Sequence, residues 1–141
     1  MMVEAPQGAF CFMASFSLCV KSAPHAAGAL HGLEFARACI QQGHSIVRVF
    51  FYGDGVYLGL TTQVAPQGEL NLAEQWQTFL TDHHIDAVVC IAAAVRRGVV
   101  DATEAARMGF PVGLLRPGFS LSGLGQWVAA NSEADHAVTF G

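Results

Sequence analysis

Cys90 closes the apolar run Asp86-Ala87-Val88-Val89-Cys90-Ile91, which leads into Ala92-Ala93-Ala94 and then Arg96-Arg97-Gly98. In open α/β sheets, ligands gather just beyond the carboxyl ends of the parallel strands, so a thiol placed there stands where a substrate arrives. The thiolate is the nucleophile, and a helix N-terminus or nearby cations favour it. These residues point to a thiol that carries a group. Packing is the competing explanation, because free cysteine is among the most often buried residue types. Arg96 and Arg97 form the one adjacent basic pair in the chain. They suit a lowered thiol pKa or an acidic partner, and equally the solvated end of a turn.

Other constellations are weaker. Cys90 and Arg96 fit C-x5-R, the spacing of phosphatase-type loops, but Ile, Ala and Val fill the interval. A loop that aims backbone N–H groups at an oxyanion favours glycine and polar residues there. The four cysteines, at 11, 19, 39 and 90, show no C-x-x-C spacing, so neither a zinc knuckle nor a thioredoxin-type pair is indicated. Cys39 sits between Ala38 and Ile40 and reads as packing. The neighbours His83 and His84 do not face one metal on a helix, and His25 and His31 are six apart, also the wrong spacing for a shared face. Gly53-Asp54-Gly55 lacks the rest of a dinucleotide fingerprint, and no phosphate-loop motif occurs. Asp54 and Asp101 are explained by a turn and a helix cap, Trp76 and Trp127 by packing or interface anchoring. No metal and no cofactor is expected.

A chain of 141 residues fits one domain, 1–141, with residues 1–8 expected as a flexible N-terminal extension. Hydrophobic residues make up 52% and charged residues 13%, a surplus of apolar surface that points to a subunit interface. A membrane span needs about twenty nearly uninterrupted apolar residues. The longest candidate, Ala9 to Val20, is shorter, is broken by Ser15 and Ser17, and lacks a preceding basic region, so a cytoplasmic protein is expected. The net charge of −4 and the scarcity of basic clusters give no footprint for direct nucleic-acid binding.

The elements that must position Cys90 follow from periodicity. Ala9 to Leu18 reads as a buried first strand. A helix follows, starting near Ser22 or Pro24, with Ala26, Ala29, Leu30, Leu33, Ala36 and Ile40 on one face and Gly43 as its stop. Ser45 to Tyr52 is a β-branched and aromatic strand, and Val56 to Gly68 is a short helix or a flap. Asn71 and Glu74 open a second helix with Leu72, Trp76, Phe79 and Leu80 on one face, ahead of the strand ending at Cys90. Asp101 and Glu104 open a short helix that Gly109 ends. Pro111 to Leu115 is expected as a strand, Ser120 as the start of a last helix carrying Leu121, Leu124 and Val128, and His136 to Phe140 as the final strand. Alternating strands and helices predict a three-layer α/β/α domain with a mostly parallel sheet of about five strands.

Three segments carry a resemblance. Val89 through Asp101 with Thr103-Glu104-Ala105, Phe50-Phe51-Tyr52 with Gly55-Val56-Tyr57, and Gly118 through Gly125 resemble, in the same order, segments of the DsrE/TusD sulfurtransferase family, and the likeness extends from about Phe10 to Phe140. The resemblance implies a heterohexamer of three related subunits in two copies each, with TusB/TusC-like (DsrH/DsrF-like) companions and Cys90 as the working thiol. Sulfur would arrive as a persulfide from a TusA-like carrier, rest on Cys90, and pass to a TusE/DsrC-like acceptor. Its destination would be 2-thiolation of a tRNA wobble uridine in the TusD branch, or sulfur oxidation in the DsrE branch. Arg96, Arg97, Gly55, Val56 and Tyr57 are the candidate surroundings of the thiol. The rival readings are a non-catalytic scaffold subunit and, last, a C-x5-R phosphatase. Met1 to Gln7 extends beyond the usual family start, and Cys19 to Ala27 departs from the family loop, a region suited to shaping partner recognition.

Overall fold

The computed structural model describes residues 12–141. The expected extension at 1–8, and the part of the expected first strand before Phe12, lie outside the described residues. Strand β1 (Ser15–Val20) starts later than the sequence suggests and continues past Leu18. Phe12 and Met13 stand exposed ahead of it. Helix α1 (Ala27–Gln41) buries Ala29, Leu33 and Ala36, the expected stripe, but starts after Ser22 and Pro24 with no side-chain cap. Gly43, at φ +85, returns the chain to β2 (Ser45–Phe51). A short 3₁₀-helix (Gly53–Gly59) follows, one of the two forms expected for this region, though it starts ahead of Val56 and ends well before Gly68.

Helix α2 (Leu72–Asp82) begins as the capping pattern predicts, with the Asn71 side chain accepting from the Glu74 N–H at 3.3 Å. It buries Leu72, Trp76, Phe79 and Leu80. Strand β3 (Asp86–Cys90) runs directly into α3 (Ile91–Arg96). In α4 (Ala102–Met108), Asp101 accepts from the Glu104 N–H at 2.8 Å, and Gly109 ends the helix in the left-handed region. Strand β4 (Phe119–Ser122), helix α5 (Gly125–Glu133) and β5 (His136–Phe140) complete the chain.

All strand pairs are parallel, in the order β4-β3-β2-β1-β5. Side chains alternate between the two faces of a strand, so each strand divides its residues between two layers. On one face α1 and α2 pack. Phe16 meets Phe35, Phe51 meets Trp76 edge-on at 5.5 Å, and the Trp76 indole N–H donates to the Ala29 carbonyl at 3.0 Å. On the other face lies α5, joined by Ser17 Oγ donating to Asn131 Oδ1 at 2.6 Å and by Phe50 stacked on Trp127. The expected α/β/α architecture is therefore borne out.

Two expectations near the end of the chain are corrected. Pro111 to Leu115 is not a strand, and the place beside β3 belongs to Phe119–Ser122. The Phe-Ser-Leu-Ser alternation has the two-residue period of a strand, whereas Pro111 and Val112 are exposed and only Leu115 makes an isolated antiparallel bridge, to Leu60. Ser120 accordingly lies within β4, and the last helix starts at Gly125.

Arg116 anchors this strap. It is 9% exposed, and its guanidinium donates to the Leu60 and Gln63 carbonyls and to Gln77 Oε1 at 2.8–3.0 Å. Burial pushes its pKa down, with Glu74 partly opposing. Replacing it with Met would leave buried acceptors unpaired, so Arg116→Met is expected to cost about 2–4 kcal/mol. Chemical denaturation should show the loss as a lowered midpoint with unchanged slope; an unchanged midpoint would mean the strap does not depend on Arg116.

Candidate functional site

Cys90 is both the last residue of β3 and the residue that caps the first turn of α3. Its place on the sheet is fixed by register. Cys90 pairs with Ser122 of β4, Val89 with Phe51 of β2, and Phe51 with Val20 of β1. One step beyond, Tyr52 lies beside Cys90 and Lys21 lies beside Tyr52; the Tyr52 N–H donates to the Val20 carbonyl at 2.9 Å. Lys21, Tyr52, Cys90 and Ser122 thus form a row along the carboxyl edge of the sheet. Cys19, Phe50, Val88 and Ser120 form the row beneath, on the same face. This is the face that α5 covers, through Trp127 on Phe50 at 6.0 Å and Arg48 Nη1 donating to the Gln126 carbonyl at 2.8 Å.

The Cys90 side chain is 3% exposed. The thiol stands at the expected edge, but covered. Residues 91–96 are helical, so they do not form an open anion cradle, and Arg96 lies roughly 9 Å along the helix axis from Cys90 at 1.5 Å rise per residue. Arg96 is exposed, while Arg97 is half-buried and occupied. Arg97 Nε donates to Asp54 Oδ1 at 3.0 Å and its Nη1 donates to the Ala93 carbonyl at 3.0 Å, tying α3 to the 3₁₀-helix. Such a part-exposed pair contributes little energy and mainly sets geometry.

Gly55, Val56 and Tyr57 belong to that 3₁₀-helix, which packs against both α2 and α3. Val56 is fully buried and Tyr57 is half-buried against the core. Gly55 is pressed on the Val20 backbone, where any Cβ would overlap the Val20 carbonyl oxygen. The three residues are the seat of α3. The structure therefore brings Gly55, Val56, Tyr57 and Arg97 together around the helix that begins at Cys90, and leaves Arg96 at its far end.

Sequence reasoning passed over Cys19 and Lys21. They line an open cleft of about 320 Å³ with Phe50, Tyr52, Trp127, Leu124 and Thr139. The signal was available, since the alternation Phe-Ser-Leu-Cys-Val-Lys puts Cys19 and Lys21 on one face of β1. Burial pushes the Cys19 thiol up to about 11; the Lys21 ammonium partly opposes this, and the Cys90 sulfur adds to it. Cys39 is also raised by burial. Among the described residues no group of three or more metal-ligating side chains converges, and no helix is long and apolar enough to cross a membrane.

Residues 14–140 match the DsrE/DsrF-like family. The chain belongs to the DsrE/DsrF-like family. Among its relatives, the sulfurtransferase TusD homolog of Pseudomonas aeruginosa is 44% identical over 126 residues, covering 89% of this chain and 96% of that protein. The putative sulfurtransferase DsrE of Allochromatium vinosum is 44% identical over 108 residues, 77% of this chain and 83% of that one. Sulfurtransferase TusD of Salmonella newport is 43% identical over 108 residues, 77% of this chain and 84% of that protein. The crystal structure of the ychN protein from E. coli aligns with a TM-score of 0.69 over 92% of this chain and 100% of that one, at 21% identity, and supports the fold. The similarity to DsrE/TusD sulfurtransferases read from three segments is thus confirmed along most of the chain.

In this DsrE/DsrF-like domain, the raised Cys19 thiol is protonated at neutral pH. Alkylation of Cys19 in the protein with all its cysteines, resolved from the other thiols by peptide mass spectrometry, should accelerate with pH up to about 11. Lys21→Gln removes the cation that favours the thiolate, so Cys19 should label more slowly at any given pH below that value. A rate that levels off near pH 9, or no response to Lys21→Gln, would contradict the electrostatic account.

Proposed function

We propose that this DsrE/DsrF-like sulfurtransferase carries sulfur as a persulfide on Cys90. The observation that carries this reading is the position of Cys90 at the carboxyl end of β3, inside the sheet rather than at its rim, with a helix starting at the next residue. The two other described thiols are held in their protonated forms by burial. The Cys90 thiolate attacks the outer sulfur of an incoming persulfide; the new S–S bond forms as the donor's S–S bond breaks, and the donor leaves as a thiolate. An acceptor thiolate then attacks the outer sulfur of Cys90-S-SH and restores Cys90. No metal or organic cofactor takes part in either step.

The relatives named TusD and DsrE support a place in a sulfur relay. In that relay a TusA-like carrier is the donor, a TusE/DsrC-like protein is the acceptor, and TusB/TusC-like subunits complete a cytoplasmic heterohexamer. 2-thiolation of tRNA wobble uridine is the favoured destination and sulfur oxidation the alternative; the chain itself binds no nucleic acid. Arg97, Gly55, Val56 and Tyr57 serve by holding α3, and Arg96, which makes no ion pair among the described residues, offers a cation at its end to an approaching partner.

The burial of Cys90 favours a second reading, a scaffold subunit that carries no sulfur. Intact mass after exposure to a persulfide donor separates the two. The relay reading predicts a gain of one sulfur in the wild type that thiol reduction reverses, that an acceptor thiol removes, and that is absent from Cys90→Ser. A scaffold gains no sulfur at Cys90, and an equal gain in the variant would overturn the assignment to this residue.

A further inference from the structure

The cleft beside Cys90 has the size and chemistry of a small-molecule site. It lies where the strand order reverses: β1 leads through α1 to β2 on one side, while β5 pairs on the other. Ligands of open parallel sheets bind outside the carboxyl ends of the strands at such a reversal. Cys19 and Thr139 come from the two strands that meet there, Tyr52 lies beside Cys90, and Phe50, Trp127 and Leu124 supply apolar walls. Lys21 is exposed and makes none of the ion pairs among the described residues.

Volume restricts the occupant. About 320 Å³ holds roughly ten waters at about 30 Å³ each, and falls at the lower end of the range for small-molecule sites. A hydrosulfide ion or a short inorganic polysulfide would leave most of it wet. One cation at the mouth, hydroxyls at Tyr52 and Thr139, and three apolar walls suit a peptide-sized ligand with a carboxylate at one end. Cys90 does not itself line the cleft; it stands one strand over, beside Tyr52, so the ligand's thiol would lie on the Tyr52 side to reach it.

Resting on the reading of Cys90 as the sulfur-carrying thiol, we propose that this cleft binds a small carboxylate-bearing thiol in its persulfide form and presents it to Cys90. Cys90 thus has a low-molecular-weight source of sulfur in addition to a protein donor. The Cys90 thiolate attacks the outer sulfur of R–S–SH. The donor's S–S bond breaks with its electron pair leaving on the inner sulfur as R–S⁻, and the hydrogen stays on the sulfur transferred. There is no net oxidation. Cys19, protonated on the cleft floor, does not compete as a nucleophile.

Binding and transfer are tested apart. In Cys90→Ser protein, S-methylglutathione, which cannot react, is titrated while the two tryptophan indole N–H resonances are followed by NMR. Trp127 should shift saturably, and Trp76, whose N–H is buried against the Ala29 carbonyl, should not. Lys21→Glu should weaken this binding about tenfold by replacing attraction with repulsion. In wild type, glutathione persulfide should load Cys90, and Lys21→Glu should slow it by a similar factor; the persulfide of the diethyl ester, with its carboxylates masked, should load both at one rate. No shift at Trp127, a shift with inorganic polysulfide alone, or indifference to Lys21→Glu would overturn the proposal. If no donor loads Cys90 while Trp127 still responds, the relay reading fails and the cleft remains a ligand site; loading from a protein donor without any Trp127 response removes the cleft and leaves the relay.

Discussion

The parallel register of β1, β2 and β3 is the constraint on which the rest depends. It places Val20, Phe51 and Val89 side by side and so brings Lys21, Tyr52 and Cys90 level at the carboxyl edge. A slip of one residue in β3 would turn Cys90 to the α1/α2 face and send Val89 to the other. The register is held by burial on both faces, since Leu18, Val20, Val49, Phe50, Phe51 and Val89 are all fully buried. It is also held at the other end of the sheet, where Arg48 Nε meets Asp86 Oδ2 at 2.6 Å and Asp135 Oδ2 accepts from the Ser15 N–H and hydroxyl.

The two faces divide the work. On the α1/α2 face the aromatic side chains of Phe51, Trp76, Phe79 and Phe119 make a dry core with the one buried indole N–H satisfied. On the α5 face the coverage is polar and partial, with Leu124 and Val128 exposed and a cleft left between Trp127 and the edge of the sheet. The proposed thiol chemistry lies on the second face, where the cleft leaves the edge of the sheet beside Tyr52 uncovered. The 3₁₀-helix and α3 link the faces: Gly55 lets the backbone lie against Val20, and Arg97 bridges to Asp54.

Much of this was legible in the sequence. The stripe of Ala29, Leu33 and Ala36, the caps at Asn71 and Asp101, and the run ending at Cys90 each carry a strong local signal, and each formed as read. The last third was less legible because two apolar segments competed for one place beside β3. Hydropathy favoured Pro111 to Leu115, while the alternation of Phe119-Ser120-Leu121-Ser122 matched the sheet. Of the candidate site, the place of Cys90 at the end of β3 and the family segments were legible. The engagement of Arg97 with Asp54 depends on two loops far apart in the chain, and the pairing of Lys21 with Tyr52 needs the register; neither is a spacing in the sequence.

The central claim is that Cys90 is a working thiol despite being covered in the single chain. The most direct check is the rate at which an alkylating reagent labels each cysteine of the native protein, followed peptide by peptide and compared with the unfolded chain. The account predicts that Cys90 labels ahead of Cys19 and Cys39, whose thiols burial holds protonated. Cys90 labelling only on unfolding, at the pace of Cys39 or slower, would contradict it and make Cys90 ordinary core.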